Sequence, residues 1–240
     1  MKVGMYYNNN DVRIEEMPIP EIGSKDLLVK VMACGICGSD VMEWYRVKKA
    51  PLVLGHELTG KIVEVGKDVE GYKPGERIFS THHVPCNRCH YCLSGHETAC
   101  ETFQTKNNFY PGGFAEYLRI SGESLATGTL KLPQGISYEQ GSFIEPLGTV
   151  IRGLRRIDLQ PGDSVIILGS GIAGLLNIKL AKALGAGRIM ATDVNNYRLE
   201  AAKRFGAEYV FYAHEDITSL IRKVNEGRLA DKVIVCTGAL

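Results

Sequence analysis

Residues 165–174 read Val-Ile-Ile-Leu-Gly-Ser-Gly-Ile-Ala-Gly, and this stretch decides the fold of the chain around it. Its first four residues form an apolar strand, and the next six are a G-x-G-x-x-G motif that opens a helix. Gly169 makes the tight turn, Gly171 lets backbone N–H groups approach a pyrophosphate, and Gly174 permits close packing of helix on strand. The predicted dinucleotide-binding residues of this loop are Gly169, Gly171, Ile172, Ala173 and Gly174.

Strands and helices alternate around and beyond this loop. The pattern predicts strands at residues 165–168, 188–192, 208–211 and 232–236, separated by helices at 172–184, 196–205 and 216–225. Apolar strands with intervening helices are typical of a parallel sheet covered on both faces, here the doubly wound Rossmann fold. That fold normally has six strands. With only four strands present, we expect an incomplete domain and a chain that is the N-terminal part of a longer protein.

Asp193 ends the second predicted strand, 19 residues beyond Gly174. A carboxylate at that position accepts hydrogen bonds from the adenosine ribose and repels a 2′-phosphate, which favours NAD over NADP. Two alternatives stay open. Asp193 could instead cap the following helix, and the nearby Arg198 could accept a 2′-phosphate.

The chain before residue 131 has a different pattern. Short β-rich runs punctuated by glycine and proline predict an irregular, mostly antiparallel β domain. Ser137, followed three residues later by Gln140, is a capping-box start for a helix that runs toward Arg156. We therefore expect a β domain at residues 1–150 and a dinucleotide-binding domain at 151–240. The strands expected in the first lie at residues 27–32, 60–65, 77–80 and 115–120.

A closed metal site is predicted in the first domain. Two residues lie between Cys86 and Cys89 and two between Cys89 and Cys92, and Cys100 follows after seven intervening residues. This spacing is typical of four thiolates around one structural zinc ion. A disulfide cluster is disfavoured because the chain has seven cysteines, an odd number, and is long enough to fold without such cross-links.

Composition limits the possible partners. The formal net charge is +1 and 45% of residues are hydrophobic, as in an ordinary globular protein. The charge balance argues against nucleic acid, although Arg88 and His90 keep a zinc-knuckle interpretation open. Apolar runs are only of strand length, which argues against a membrane span. Strand-like sequence at the N-terminus makes a cytoplasmic location the expectation.

A second metal site is suggested by Cys37, His56 and Glu57. One thiolate, one imidazole and one carboxylate form the mixed ligand set of a catalytic zinc with an open position. Spacing alone leaves alternatives open, because His56 could be a core histidine and Cys34 could form a redox pair with Cys37.

These motifs together resemble the zinc-dependent medium-chain dehydrogenase/reductase family, over essentially the whole chain. The resemblance implies a GroES-like β-barrel catalytic domain joined to a Rossmann domain, with one catalytic zinc, one structural zinc and NAD. The matching motifs, in the order of the family, are Cys37-Gly-Ser39-Asp40, Gly55-His56-Glu57-x-x-Gly60-x5-Gly66-x-x-Val69, the four cysteines, Gly113-Phe-Ala-Glu-Tyr117, Glu145-Pro146-Leu147 and the glycine loop.

The resemblance also implies roles for single residues. Cys37 and His56 are expected to bind the catalytic zinc, with Glu57 as an exchangeable ligand. Glu145 stands where other branches carry a cysteine ligand, and it resembles the polyol and threonine dehydrogenase branch. Ser39 is expected to take the proton of the substrate hydroxyl; its alternative role is that of a turn residue. Met42 replaces the relay histidine of some relatives, so the proton is expected to leave through water.

The function implied is oxidation of a polyol or other secondary alcohol by NAD, in a homo-oligomer (dimer or tetramer) when full length. An amino-alcohol dehydrogenase of the threonine type is the nearest rival, because its zinc ligands look alike. Zinc-free quinone reductases are disfavoured, since the zinc ligands are present here. A non-catalytic, zinc-stabilised NAD-binding fragment is the rival from another class.

Overall fold

A computed structural model describes residues 1–238, and the chain divides into two compact units. The first comprises Met1–Glu145, and the second begins at Pro146. The expected domain border at residue 150 falls inside a helix, Ile144–Arg156. None of the helices within residues 1–238 has the length and apolar character that crossing a bilayer requires.

The first unit is built from antiparallel strands, as the sequence predicts. Six of them form a sheet of order β7-β8-β3-β5-β6-β9, and the other three form a sheet of order β2-β1-β4. The strands are β1 (Lys2–Asn8), β2 (Asp11–Glu16), β3 (Leu27–Gly35), β4 (Leu52–Val53), β5 (Glu57–Val65), β6 (Arg77–Ser80), β7 (Phe109–Tyr110), β8 (Tyr117–Ile120) and β9 (Thr129–Lys131).

Helices in the first unit are short and lie between these strands. They are α1 (Glu43–Arg46), α2 (His90–Leu93), α3 (Glu101–Thr105), α4 (Gly122–Leu125) and α5 (Tyr138–Ser142), with 3₁₀ turns at Gly38–Val41, Val47–Lys49 and Glu97–Ala99. The larger sheet buries one apolar cluster, which consists of Leu27, Val29, Leu58, Ile62, Ile78, Phe109, Leu118 and Ile120.

The pairing of β3 with β5 positions the first functional residues. These strands run antiparallel, and Gly35 at the end of β3 pairs with Glu57 at the start of β5. Cys37 follows two residues after Gly35, so the pairing brings it beside His56 and Glu57. A side chain at position 35 would collide with the Glu57 carboxylate, and Gly55 has a φ of +94°, which L-residues rarely adopt.

The second unit is a parallel sheet of order β12-β11-β10-β13. The predicted strands and helices are confirmed, each to within one or two residues. The strands are β10 (Ser164–Leu168), β11 (Arg188–Asp193), β12 (Tyr209–Tyr212) and β13 (Lys232–Val235), and the helices after α6 (Ile144–Arg156) are α7 (Ile172–Ala183), α8 (Asn196–Phe205) and α9 (Ile217–Val224).

The predicted helix from Ser137 toward Arg156 is in fact two helices. Its capping box is confirmed, because the Ser137 hydroxyl accepts from the Gln140 N–H at 3.1 Å and the Gln140 side chain accepts from the Ser137 N–H at 2.9 Å. Phe143 (φ −76°, ψ −5°) then separates α5 from α6. Pro146 accounts for the restart, since proline lacks an N–H and fits a helix only in its first turn.

Candidate functional site

The four-cysteine loop brings its sulfur atoms into one cluster. The Sγ atoms of Cys86, Cys89, Cys92 and Cys100 all lie within 4.8 Å of one another. Cys89 and Cys92 are 3.5 Å apart, and Cys86 and Cys92 are 4.0 Å apart. A tetrahedral zinc with Zn–S bonds of about 2.3 Å separates its sulfurs by about 3.8 Å. The cluster therefore fits a four-thiolate zinc, with all four cysteines free of disulfide bonds.

Protonation in this cluster also points to a cation. N–H groups of Cys86 and Phe103 lower the pKa of Cys100 to about 6. Burial, and then the neighbouring sulfurs, raise the pKa of Cys92 to about 12. Holding all four sulfurs as thiolates would therefore require a positive ion among them.

The second cluster joins one ligand atom each from Cys37, His56 and Glu57, within 4.8 Å of one another. His56 and Glu57 are buried, and Cys37 is half-buried. Burial raises the pKa of the Cys37 thiol above its usual value, so a bound cation would be needed to keep it a thiolate. One sulfur, one nitrogen and one oxygen fit a catalytic zinc with an open position.

Asp40 lies behind the imidazole of His56. Its Oδ2 accepts from the Cys37 N–H at 3.0 Å, and its Oδ1 is 3.6 Å from His56 Nδ1. At 3.6 Å this is a charge contact and not a hydrogen bond, but a carboxylate on the Nδ1 side of the ring favours Nε2 as the nitrogen that binds a metal. The sequence motif contained Asp40, but its contact with His56 emerges only from the folded structure.

Glu145 lies in the first turn of α6, where the charges of the second cluster influence its carboxyl group. Burial raises the pKa of its carboxyl group, His56 acts in the opposite direction, and Glu57 and Asp40 raise it further. Glu145 is outside the set of three converging ligand atoms. Its role as a ligand therefore remains a proposal.

Ser39 is half-buried in the 3₁₀ turn Gly38–Val41, two residues after Cys37. Its N–H lies 3.5 Å from the Cys37 sulfur, and its Oγ accepts a hydrogen bond of 2.8 Å from Arg46 Nη2. Ser39 thus combines the turn role with a hydroxyl beside the metal ligands.

Sequence reasoning missed two histidines next to this cluster. The ring centroid of His82 is 4.7 Å from that of His56 and 3.9 Å from that of His83. Burial lowers the pKa of His82 to about 2, so its ring is neutral. The adjacent pair of histidines shortly before Cys86 was the available signal, but only the fold places it against His56.

The glycine loop of the second unit has the geometry that its motif predicts. Gly169 has a φ of +98°, and a Cβ there would lie 2.8 Å from the carbonyl of Cys236. A Cβ on Gly174 would clash with the carbonyl of Gly169, whereas Gly171 faces open space. Ile172 and Ala173 are exposed in the first turn of α7.

Asp193 lies beside this loop at the end of β11. Its Oδ2 accepts from the Ser170 N–H and its Oδ1 from the Asn195 N–H, both at 2.9 Å. Arg198 Nη1 is 3.8 Å from Oδ2 and its side chain is 55% exposed. Asn195, not Asp193, caps α8. A cavity of about 420 Å³ is lined by Gly169, Gly171, Asp193, Arg198 and their neighbours.

Comparison with known proteins agrees with this geometry. Residues 23–134 match the alcohol dehydrogenase GroES-like domain, and residues 173–240 match the zinc-binding dehydrogenase model. Sorbitol dehydrogenase of Bacillus subtilis is 36% identical over 96% of this chain and 67% of its own length. A probable D-xylulose reductase A of Neosartorya fischeri is 38% identical, with the same coverage.

A solved structure gives the same result. Alcohol dehydrogenase TADH from Thermus sp. ATN1 superimposes with a TM-score of 0.86 at 32% identity, covering 100% of this chain and 71% of that one. The chain thus spans about two thirds of the length of the curated relatives it matches.

Proposed function

The chain belongs to the zinc-dependent medium-chain alcohol dehydrogenase family, and on that premise we propose that it oxidises a polyol with NAD as hydride acceptor. The observation that carries the proposal is the convergence of Cys37, His56 and Glu57, whose ligand atoms lie within 4.8 Å. Relatives named for sorbitol and D-xylulose support a polyol as the substrate class.

The metal-binding residues have distinct proposed roles. When bound, zinc polarises the substrate hydroxyl as a Lewis acid and lowers its pKa. Cys37 and His56 would hold the ion, Asp40 would orient His56, and Glu57 would be an exchangeable ligand. Glu145, in the first turn of α6, is proposed as a further oxygen ligand that binds zinc either directly or through water. The clustered cysteines Cys86, Cys89, Cys92 and Cys100 would hold a structural zinc as thiolates.

Ser39 is the proposed acceptor of the substrate proton. Its hydroxyl follows Cys37 by two residues, and Met42 offers no relay group beyond it. The Ser39 hydroxyl accepts the proton from the substrate as its own proton passes to water. Ser39 therefore stays neutral throughout the transfer.

The cofactor of this family is NAD or NADP, and we propose NAD. When bound, its nicotinamide accepts the hydride. The Gly169–Gly174 loop receives the pyrophosphate at the N-terminus of α7. Asp193 disfavours a 2′-phosphate by charge, although Arg198 beside it offsets part of that effect.

The proposal is tested by mixing zinc-loaded protein with NAD and a panel of sorbitol, xylitol and L-threonine, and following the reduced nicotinamide by absorbance. We expect reduction with the polyols and little with L-threonine. Preference for L-threonine would support the amino-alcohol alternative. No reduction with any substrate by protein that retains zinc would contradict a dehydrogenase.

A further inference from the structure

Arg46 connects two residues of the proposed catalytic zinc site. It ends α1, and its side chain is only 15% exposed. Its Nε donates to the carbonyl oxygen of Ser39 at 2.9 Å, and its Nη2 donates to the Ser39 hydroxyl at 2.8 Å. Nη2 is also 3.7 Å from Asp40 Oδ1. One guanidinium thus faces both the proton acceptor and the carboxylate behind His56.

From these contacts we propose that Arg46 is a positioning residue for the dehydrogenase reaction: it orients the Ser39 hydroxyl for proton transfer and holds Asp40 against the metal ligand His56. The inference rests on the proposed function, because it gives Arg46 its role through Ser39.

The hydrogen-bonding capacity of Ser39 explains the first part of this role. A hydroxyl has one proton and two lone pairs, and a guanidinium can only donate. Arg46 therefore occupies one lone pair and cannot receive the Ser39 proton. The remaining lone pair accepts the proton as the O–H bond of the substrate breaks, and the original Ser39 proton leaves to water. Arg46 stays charged and Ser39 stays neutral; the substrate becomes an alkoxide, and water carries the proton away.

The burial of Asp40 explains the second part. Its side chain is 4% exposed, and its Oδ1 is buried without a hydrogen-bond partner among the described residues. The nearest cationic nitrogen is Nη2 of Arg46, and the neighbouring imidazole nitrogen is Nδ1 of His56 at 3.6 Å. A buried carboxylate that loses its counter-ion is strongly unfavourable. Without Arg46 we expect Asp40 to shift and to hold His56 less firmly.

Arginine suits both tasks better than lysine. Two of its nitrogens contact Ser39, one at the carbonyl and one at the hydroxyl, in a rigid planar fork. A lysine would keep the positive charge near Asp40, but a single ammonium group cannot reproduce this pair of contacts. The two substitutions Arg46→Lys and Arg46→Met therefore separate the two roles.

The test uses the full zinc-loaded chain with Arg46→Met, Arg46→Lys, Ser39→Ala and the Arg46→Lys/Ser39→Ala double variant. Arg13→Met is the matched control, because Arg13 also makes a two-nitrogen contact, with Asp11 on the exposed strand β2. The first readout is the rate of zinc loss to a chelator. The second is kcat and KM for polyol oxidation.

Loss of an outer-shell partner typically weakens metal affinity by about tenfold or more. We therefore expect Arg46→Met to release zinc about tenfold faster than wild type, whereas Arg46→Lys and Arg13→Met release it at the wild-type rate. We also expect Arg46→Lys to lower kcat about tenfold, a part of what acid–base catalysis contributes, with KM for NAD unchanged. In the Ser39→Ala background, Arg46→Lys should lower kcat less than about twofold, because the effects of substitutions at interacting residues are not additive.

Three results would overturn the inference. Arg46→Met could release zinc at the wild-type rate. Arg46→Lys could retain wild-type kcat while Ser39→Ala is impaired, which leaves the Ser39 proposal standing. The effects of Arg46→Lys and Ser39→Ala could also multiply, as independent structural defects do. Wild-type kcat in Ser39→Ala would instead refute the proposed proton acceptor, and this inference with it.

Discussion

Gly174→Ala should damage both the stability of the second unit and its affinity for NAD. A Cβ at this position clashes with the carbonyl of Gly169 and lies 3.5 Å from Cγ2 of Ile167. Ile167 is fully buried, and Gly169 is held in a turn with a φ of +98°, so neither neighbour can yield easily. Overpacking of this kind costs about 1–3 kcal/mol.

The effect on the cofactor follows from the position of Gly169. The carbonyl that must move belongs to the turn whose N–H groups approach the pyrophosphate. If this strain makes the free energy of NAD binding about 1.4 kcal/mol less favourable, the Kd for NAD rises about tenfold.

Gly153→Ala is the matched control. Gly153 is exposed in α6, and a Cβ there has no atom within 4 Å. Alanine in a helix interior is more stable than glycine by about 0.5–1 kcal/mol. Replacing glycine by alanine should therefore stabilise the second unit at position 153 and destabilise it at position 174.

Hydrogen exchange of the amides in β10 and β11 measures the stability of the second unit, and calorimetric titration with NAD measures the affinity. The single tryptophan, Trp44, lies in the first unit, so its fluorescence is a poor reporter of these changes. Wild-type exchange and wild-type affinity in Gly174→Ala would refute the packing argument. Equal destabilisation by Gly153→Ala would refute it as well.

Three further outcomes are expected elsewhere in the chain. Asp231→Asn weakens the bonds from the N–H (2.8 Å) and hydroxyl (2.6 Å) of Ser164, and should lower the free energy of unfolding by about 1 kcal/mol near neutral pH. These bonds hold the pKa of Asp231 below its usual value. They therefore stabilise the folded protein fully above the pKa that Asp231 has in the unfolded chain, and this stabilisation is lost as the pH falls through the pKa of Asp231 in the folded protein. Urea unfolding at neutral and acid pH should show the difference between wild type and variant vanishing in acid. Cys89→Ser should remove one zinc per chain in elemental analysis and leave the other in place, because the two clusters share no ligand. Arg198→Ala should reduce NADP affinity about fivefold relative to NAD, the value of an exposed charge contact of about 1 kcal/mol; equal loss for both cofactors in binding titrations would contradict a phosphate contact.

The alternation of strands and helices made the second unit predictable. Each element there is encoded locally, by an apolar strand, a helical stretch and a glycine or capping residue between them. The break at Phe143 was not predictable in the same way. The capping box and the helical stretch suggested one helix, and only the constraint from Pro146 in the next turn hinted at two.

The two proposed metal sites also differ in how much of each can be predicted from local sequence. The structural cluster is nearly contiguous in sequence, so spacing alone predicted its four ligands. Cys37 and His56 are distant in sequence, and their meeting depends on the pairing of β3 with β5. The contact of His82 with His56 depends on the folded chain as well. Arg46 lies only seven residues after Ser39, but no sequence pattern predicts that its guanidinium turns back onto the Ser39 hydroxyl.

Zinc content per chain tests the central claim most directly, measured by elemental analysis of wild type, Cys37→Ser and Cys236→Ser. Cys236 carries a free thiol directly after β13, outside both clusters, and serves as the control. The account predicts two zinc ions in wild type and in Cys236→Ser, and one in Cys37→Ser. The same zinc content in Cys37→Ser as in wild type would contradict a zinc site at Cys37, His56 and Glu57, and with it the proposed chemistry.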